Sequence, residues 1–132
     1  MKENLFGLEG YPNIHILKTE VSGNDLLVSW VLFNNFGSAI LENANFKNAS
    51  LQLVNFYLAN LTNADLSGTD LRKSLLSNAN LSNANLQGAD LSEADITGAD
   101  LTGADLSGAI LSDTAYDQHT ILKCTGHHIC IN

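Results

Sequence analysis

The chain has 132 residues, with six Lys or Arg against fourteen Asp or Glu and a formal net charge of −8. That length gives one domain, and that charge excludes direct nucleic-acid binding, because neutralising phosphates takes clustered Lys and Arg. No apolar run approaches the roughly 18 residues of a membrane span, so no membrane partner is expected.

Residues 1–33 differ in composition from the rest of the chain and hold the only Trp and the only Pro, Trp30 and Pro12. The opening MKENLFGLEGYP lacks the basic and apolar segments of a secretory signal, which makes the cytoplasm the expected location. Asn24-Asp25 ahead of LLVSWVLF reads as a helix start followed by a strongly apolar helix, so a short capping helix is expected over about residues 25–33. The period of the later chain also continues through Leu26 and Val31, which would make this stretch an imperfect first coil instead. Either way Trp30, Leu32 and Phe33 need cover, from residues 13–21 (NIHILKTEV) or from a second subunit.

From Phe36 to Leu111 a large apolar residue recurs every five positions. The series is Phe36, Leu41, Phe46, Leu51, Phe56, Leu61, Leu66, Leu71, Leu76, Leu81, Leu86, Leu91, Ile96, Leu101, Leu106 and Leu111. Two places before each stands a compact residue, Ala at twelve of the sixteen steps, with Asn34, Val54, Thr69 and Ser74 as the exceptions. A period of five fits neither the 3.6 of a helix nor the 2 of a strand, and an uninterrupted period marks a repeat architecture. Ala64 and Leu66 are spaced to share one face of an extended chain, but Thr69, three further on, would then point away. The backbone must therefore turn between them. Two places after the large residue stand Gly68, Gly88, Gly98, Gly103 and Gly108, or Asn43, Asn48, Asn63 and Asn83, the types that tolerate the positive φ of tight turns. Short extended segments and corners of one hand wind into a solenoid with the sixteen large residues as its core. Pro is absent from 13 to 132, as expected if nearly every N–H serves a neighbouring coil. Thr69 and Ser74 need hydrogen-bond partners if buried, and with Arg72 and Lys73 beside them they mark an irregularity in the wall or a contact site.

The string from Ala79 to Gly108, ANLSNANLQGADLSEADITGADLTGADLSG, resembles the pentapeptide-repeat proteins, whose motif is A(D/N)LXX. The resemblance covers residues 34–113. It implies an all-β fold, a right-handed quadrilateral parallel β-helix with 20 residues per coil and about four coils. It also implies large residues stacked in four columns, such as Phe36, Phe56, Leu76 and Ile96. The stretch from Tyr116 to Leu122 (YDQHTIL) resembles, more loosely, the way such chains end. The expected organisation is an N-terminal cap over 1–33, the repeat shaft over 34–113 and a C-terminal cap over 114–132.

The C-terminal cap gathers Cys124, His127, His128 and Cys130, with His119 nearby. Three readings stand side by side. A Cys124–Cys130 disulfide closes a short loop containing Gly126; two free thiols suit a reducing compartment; a zinc site uses ligands of the right type at a spacing that is not a standard one.

A filled shaft offers neither the concave pocket nor the converging polar groups of an enzyme, so no catalytic residue, cofactor or metal is assigned. The expected function is a non-enzymatic scaffold that binds a protein partner through its outer walls or caps, as a monomer or as a homodimer through a cap. Arg72, Lys73, Asn80 and Asn85 are outer residues expected to set specificity. The alternative rests on the family: some members resemble duplex DNA in width and charge and bind DNA gyrase in its place. No Lys or Arg lies between Ser74 and Leu122, where Asp90, Glu93, Asp95, Asp100, Asp105, Asp113 and Asp117 do. With 20 residues per coil these acids ring the shaft rather than lining one column, which weakens the mimic.

Overall fold

The computed structural model describes residues 15–22, 25–32 and 35–131. Within each five-residue step of the shaft, the backbone N–H groups can be followed one by one. The N–H of the large residue donates to the carbonyl 19 positions ahead, as Phe36 to Asn55 at 2.7 Å, and the corner N–H does the same, as Ser38 to Tyr57 at 2.7 Å. The compact residue's N–H closes the turn onto the preceding large residue, as Ala39 to Phe36 at 2.9 Å. The next N–H reaches back 21 positions, as Asn60 to Ala39 at 2.9 Å. The fifth is taken by a side chain: Asn35 Oδ1 accepts from Gly37 N–H at 2.8 Å. Where the step carries Asn or Asp at the place of Asn35, all five donors are thus satisfied, as buried or wall-forming backbone requires.

This pairing repeats as parallel bridges 20 residues apart, from Asn35 with Asn55 to Asp95 with Ala115. One bridge and one turn recur every five residues, so each 20-residue coil has four of each. The corner residue has positive φ at all sixteen steps, from Ser38 to Asp113, the feature that defines the third position of a type II turn. Gly and Asn hold ten of those corners; Ser38, Leu53, Leu58, Lys73, Glu93 and Asp113 hold the rest, and no β-branched residue does.

The core is a filled column. Every large residue from Phe36 to Leu106 is buried, together with the Ala that precedes it at most steps; Leu111, at the end of the series, is only partly buried. Phe36 stacks on Phe56 with centroids 5.2 Å apart, and Phe46 packs edge-on against both at 6.0 and 5.9 Å. Each such side chain contributes roughly 1.5–3 kcal/mol relative to exposure. Of the two buried hydroxyls inside the shaft, Thr69 donates to the Leu66 carbonyl at 2.6 Å. Ser74 Oγ is buried with no hydrogen-bond partner among the described residues.

The N-terminal expectation is overturned. Residues 25–32 form a strand, β2 (Asp25–Leu32), paired antiparallel with β1 (His15–Ser22) in a register that sets Ser22 opposite Asp25 and His15 opposite Leu32. They are neither a capping helix nor an imperfect first coil, because their pairing is antiparallel and local, and the first parallel bridge among the described residues is Asn35 with Asn55. The signal was Gly23-Asn24 between two runs rich in β-branched residues, a hairpin pattern that outweighs Asn24-Asp25 as a helix cap. Phe33, with the rest of residues 1–14, 23–24 and 33–34, lies outside the described residues.

At the other end the coil runs past residue 113. Asp100 pairs with Ile121 and Asp105 with Thr125, spacings of 21 and 20, so one step is lengthened to six residues and the next shortened to four. Asp117 holds the longer turn, its Oδ1 accepting from the N–H groups of His119, Thr120 and Gly98 at 3.0, 3.1 and 3.2 Å.

Candidate functional site

With the interior filled, whatever this molecule binds meets the outer walls or the ends. Each wall is a ladder of bridge residues. The four columns run Asn35, Asn55, Leu75, Asp95, Ala115; Ile40, Asn60, Asn80, Asp100, Ile121; Asn45, Asp65, Asn85, Asp105, Thr125; and Ser50, Asp70, Asp90, Ile110.

The Asp and Asn side chains of these columns are part of the backbone's own hydrogen bonding. At twelve of sixteen steps, the bridge residue's Oδ1 accepts from the N–H two residues on, at 2.8–3.3 Å. Either Asp or Asn serves, which is the physical reason the motif allows both. In Asp70, Asp95 and Asp105 the second oxygen accepts from a side chain one coil below: Gln52, Ser77 and Gln87 respectively. The consequence is electrostatic. Arg72, then Gln52, holds the Asp70 carboxyl below its usual range. Ser107 and Gln87 do the same for Asp105. Around Asp95 burial pushes upward, but the hydrogen bonds from Thr97 and Ser77 outweigh it and the net direction is down.

Asn80 and Asn85, expected to set specificity, have their Oδ1 atoms committed to the N–H groups of Ser82 and Gln87. Arg72 pairs with Asp70 at 2.7 Å and reaches Asp90 at 3.8 Å; Lys73 lies 3.7 Å from Glu93. These pairs are solvated, and surface pairs of this kind stabilise by at most about 1 kcal/mol. The acids Asp90, Asp95, Asp100 and Asp105 occupy four different columns in succession, a ring and not a row.

In the C-terminal segment Cys124 and Cys130 are joined by a disulfide with Cα atoms 5.0 Å apart. Both sulfurs are therefore taken, and no group of three or more candidate metal ligands is found among the described residues. Cys124 is buried against the last coil, with Leu122 and Cys130 packed on the same core. Ile131 N–H closes the loop onto the Leu122 carbonyl at 2.7 Å. A Cβ on Gly126 would lie 2.5 Å from the Ser107 backbone nitrogen, so only Gly lets this loop sit on the coil. The rings of His127 and His128 lie tilted against each other with centroids 4.3 Å apart, and burial, then the neighbouring His128, lowers the His127 pKa.

Five exposed apolar residues not singled out from the sequence lie on one side of the shaft and its corners. They are Leu53, Tyr57, Leu58, Leu75 and Tyr116, between 46% and 59% exposed. For three of them the signal was present, because Leu53 and Leu58 stand where Asn or Gly is usual and Leu75 where Asn or Asp is.

Fold and surface together define a parallel β-solenoid with a closed core and a hydrogen-bonded polar wall. The description "Pentapeptide repeats" matches residues 39–78 and 74–113, in eight copies. The chain belongs to the pentapeptide-repeat family. Among solved structures it is similar to alr5209, a pentapeptide-repeat protein from Nostoc PCC 7120. Identity there is 39%, over 64% of this chain and 70% of that one, with a TM-score of 0.63. It is also similar to HetL of the same strain, a pentapeptide-repeat protein involved in heterocyst differentiation regulation. Identity is 26%, over 76% of this chain and 52% of HetL, with a TM-score of 0.55. No curated protein matches the chain. No helix among the described residues is long and apolar enough to cross a membrane.

Proposed function

We propose that this chain is a non-enzymatic scaffold that binds a protein partner through an outer wall or a cap. It is built as the right-handed four-sided β-helix of its family, with a cap over 1–33, a shaft over 34–113 and a cap over 114–132. The observation that carries this reading is the filled interior: stacked Phe, Leu, Ile and Ala leave recognition to the walls and ends. Four flat walls with outward side chains at fixed spacing are a surface suited to another protein, whereas catalysis needs a concave site with converging groups.

The second reading, an acidic mimic of duplex DNA that binds DNA gyrase, is less well supported by the charge pattern. A phosphate-like row needs acids along one side, and here they step around the shaft. Gyrase supercoiling should therefore be unaffected by micromolar protein; inhibition that disappears in Asp90→Asn/Asp95→Asn/Asp100→Asn would reverse the ranking.

The proposed compartment is the cytoplasm, where thiol reductants oppose a lasting disulfide. Alkylation of freshly lysed cells tests the compartment: free Cys124 and Cys130 thiols support the cytoplasm, and thiols protected by the bridge would place the chain in an oxidising compartment. The binding test is a pull-down from the native organism with the Cys-intact chain, followed by hydroxyl-radical footprinting of the complex. Protection confined to a wall or an end supports the scaffold; a partner that protects neither overturns it.

A further inference from the structure

Of the positions that abandon the A(D/N)LXX pattern for a large exposed apolar side chain, Ile40 and Ile110 stand apart on two other columns, while Leu53, Leu58 and Leu75 fall together on one side of the shaft. Leu53 and Leu58 form its two corners at one level, with φ of 61° and 59°. Left-handed backbone costs a non-Gly residue roughly 1–2 kcal/mol, and neither Leu recovers that by burial. Tyr57 stands beside Leu58. Leu75 lies one coil on, its N–H bonded to the Val54 carbonyl and its carbonyl to Phe56 N–H. Residues 35, 55 and 95 of its column use Oδ1 to hold their turns, and Leu75 forfeits that bond. Stacked coils are roughly 4.8 Å apart, so these side chains adjoin. Isolated exposed apolar residues need no explanation. This group is contiguous, and Leu53, Leu58 and Leu75 occupy positions where the coil itself prefers Asn, Asp or Gly.

The same side turns acidic further along the axis. Asp95 follows Leu75 in the ladder, Glu93 and Asp113 follow Lys73 along the corner, and Asp117 lies in the turn after Ala115. We propose that this wall docks a protein segment with apolar anchors and a basic flank. It would lie along the shaft with its anchors on Leu53, Tyr57, Leu58 and Leu75 and its flank against Asp95 and Asp117. The inference rests on the scaffold reading and names the chemistry of its partner.

Charge favours such a partner over a second copy of the chain. Lys47, Arg72, Lys73 and Lys123 are the only Lys or Arg from 35 to 131, and Arg72 and Lys73 already pair with Asp70 and Glu93. A second copy laid along this side would set acids against acids, which electrostatic complementarity disfavours.

The test titrates the full chain with a short synthetic peptide carrying Leu at every fourth position followed by a run of Lys, read by fluorescence anisotropy. A counterpart peptide with Glu in place of Lys is the control. Leu53→Asn/Leu58→Asn/Leu75→Asn restores residues the coil uses at such positions, so its melting temperature should equal or exceed that of the native chain. It should bind the Lys peptide about tenfold more weakly or worse. The Glu peptide should not bind. Asp95→Asn/Asp117→Asn, which keeps both Oδ1 acceptors, should weaken binding and flatten its salt dependence. Equal affinity for the native chain and the triple Asn variant overturns the proposal, since the acid ring alone would then be capturing Lys. A dimer in sedimentation that the triple variant abolishes overturns it in favour of self-association. A native partner whose footprint falls on the column of Asp65 and Asp105 overturns this wall and leaves the scaffold reading standing. A native partner that protects no wall or end overturns both.

Discussion

The first two coils of the shaft and the last two reach the same backbone by different chemistry. Early coils fill the axis with Phe36, Phe46 and Phe56, place Asn along their ladders, and seat Leu53 and Leu58 at corners. Later coils fill the axis with Leu and Ile96, place Asp along the ladders, and turn at Gly98, Gly103 and Gly108. The backbone hydrogen-bond pattern is shared until the last coil, where Leu101 N–H reaches 20 positions ahead to Ile121 and Gly98 N–H is taken by Asp117 Oδ1 and Thr120 Oγ1. Geometry is therefore carried by the inward positions and the Asx acceptors, while the outward positions are free to vary. Those free positions are where a partner would be specified.

The largest expected effects test whether the inward positions are equivalent at both ends. Phe56→Ala should destabilise by about 3–5 kcal/mol and Leu86→Ala by about 2–5 kcal/mol, because stacked coils on either side hold the cavity open. Ser82→Ala on the outer wall should stay within about 0.5 kcal/mol. Denaturant melts that show one end tolerating truncation would break the equivalence.

Next in size is the clamp at the acidic end. Cys130→Ser removes a loop closure of six residues' separation, worth about 2 kcal/mol in the chain-entropy picture. Amide exchange should quicken after about residue 117 while the early coils stay unchanged; loosening that reaches the Phe stack would mean the ends are coupled.

At the irregular step between the halves, Ser74→Ala should stabilise the chain. It removes a buried hydroxyl without a partner among the described residues, a group whose desolvation costs about 1–3 kcal/mol. A loss of stability would mean that Ser74 Oγ has a partner outside the described residues.

The smallest effect separates the halves by pH. Asp70, Asp95, Asp105 and Asp117 all have folded pKa values below the ordinary carboxylate value. The unfolded chain then binds more protons than the folded one as pH falls. Their contribution is complete above about 4, the unfolded Asp value, and is lost as pH drops through the lower folded values. Two of these four belong to the later coils and Asp117 to the cap that follows them, so exchange measured between pH 5 and 3 should quicken at that end first. Earlier loosening of the Asn-laddered coils would contradict the assignment.

By itself the sequence determined the solenoid, because a buried pair of compact and large residues every five positions can be satisfied only by a chain that turns at each step. It also located the corners through Gly and Asn, whereas the count of twenty per coil that divides the acids among four columns came from the family resemblance and not from the period of five. The hairpin of β1 and β2 was legible in Gly23-Asn24, but a helix cap at Asn24-Asp25 competed with it, and local signals of similar strength are decided by strand pairing. The three readings of Cys124 and Cys130 could not be separated by spacing, since a bridge depends on how the chain folds back after Gly126. Only the tertiary structure gathered Leu53, Tyr57, Leu58, Leu75 and Tyr116 onto one wall. Residues about twenty positions apart became neighbours, and Tyr116 joined the same wall two coils beyond Leu75, because winding converts a spacing of twenty into adjacency along the axis.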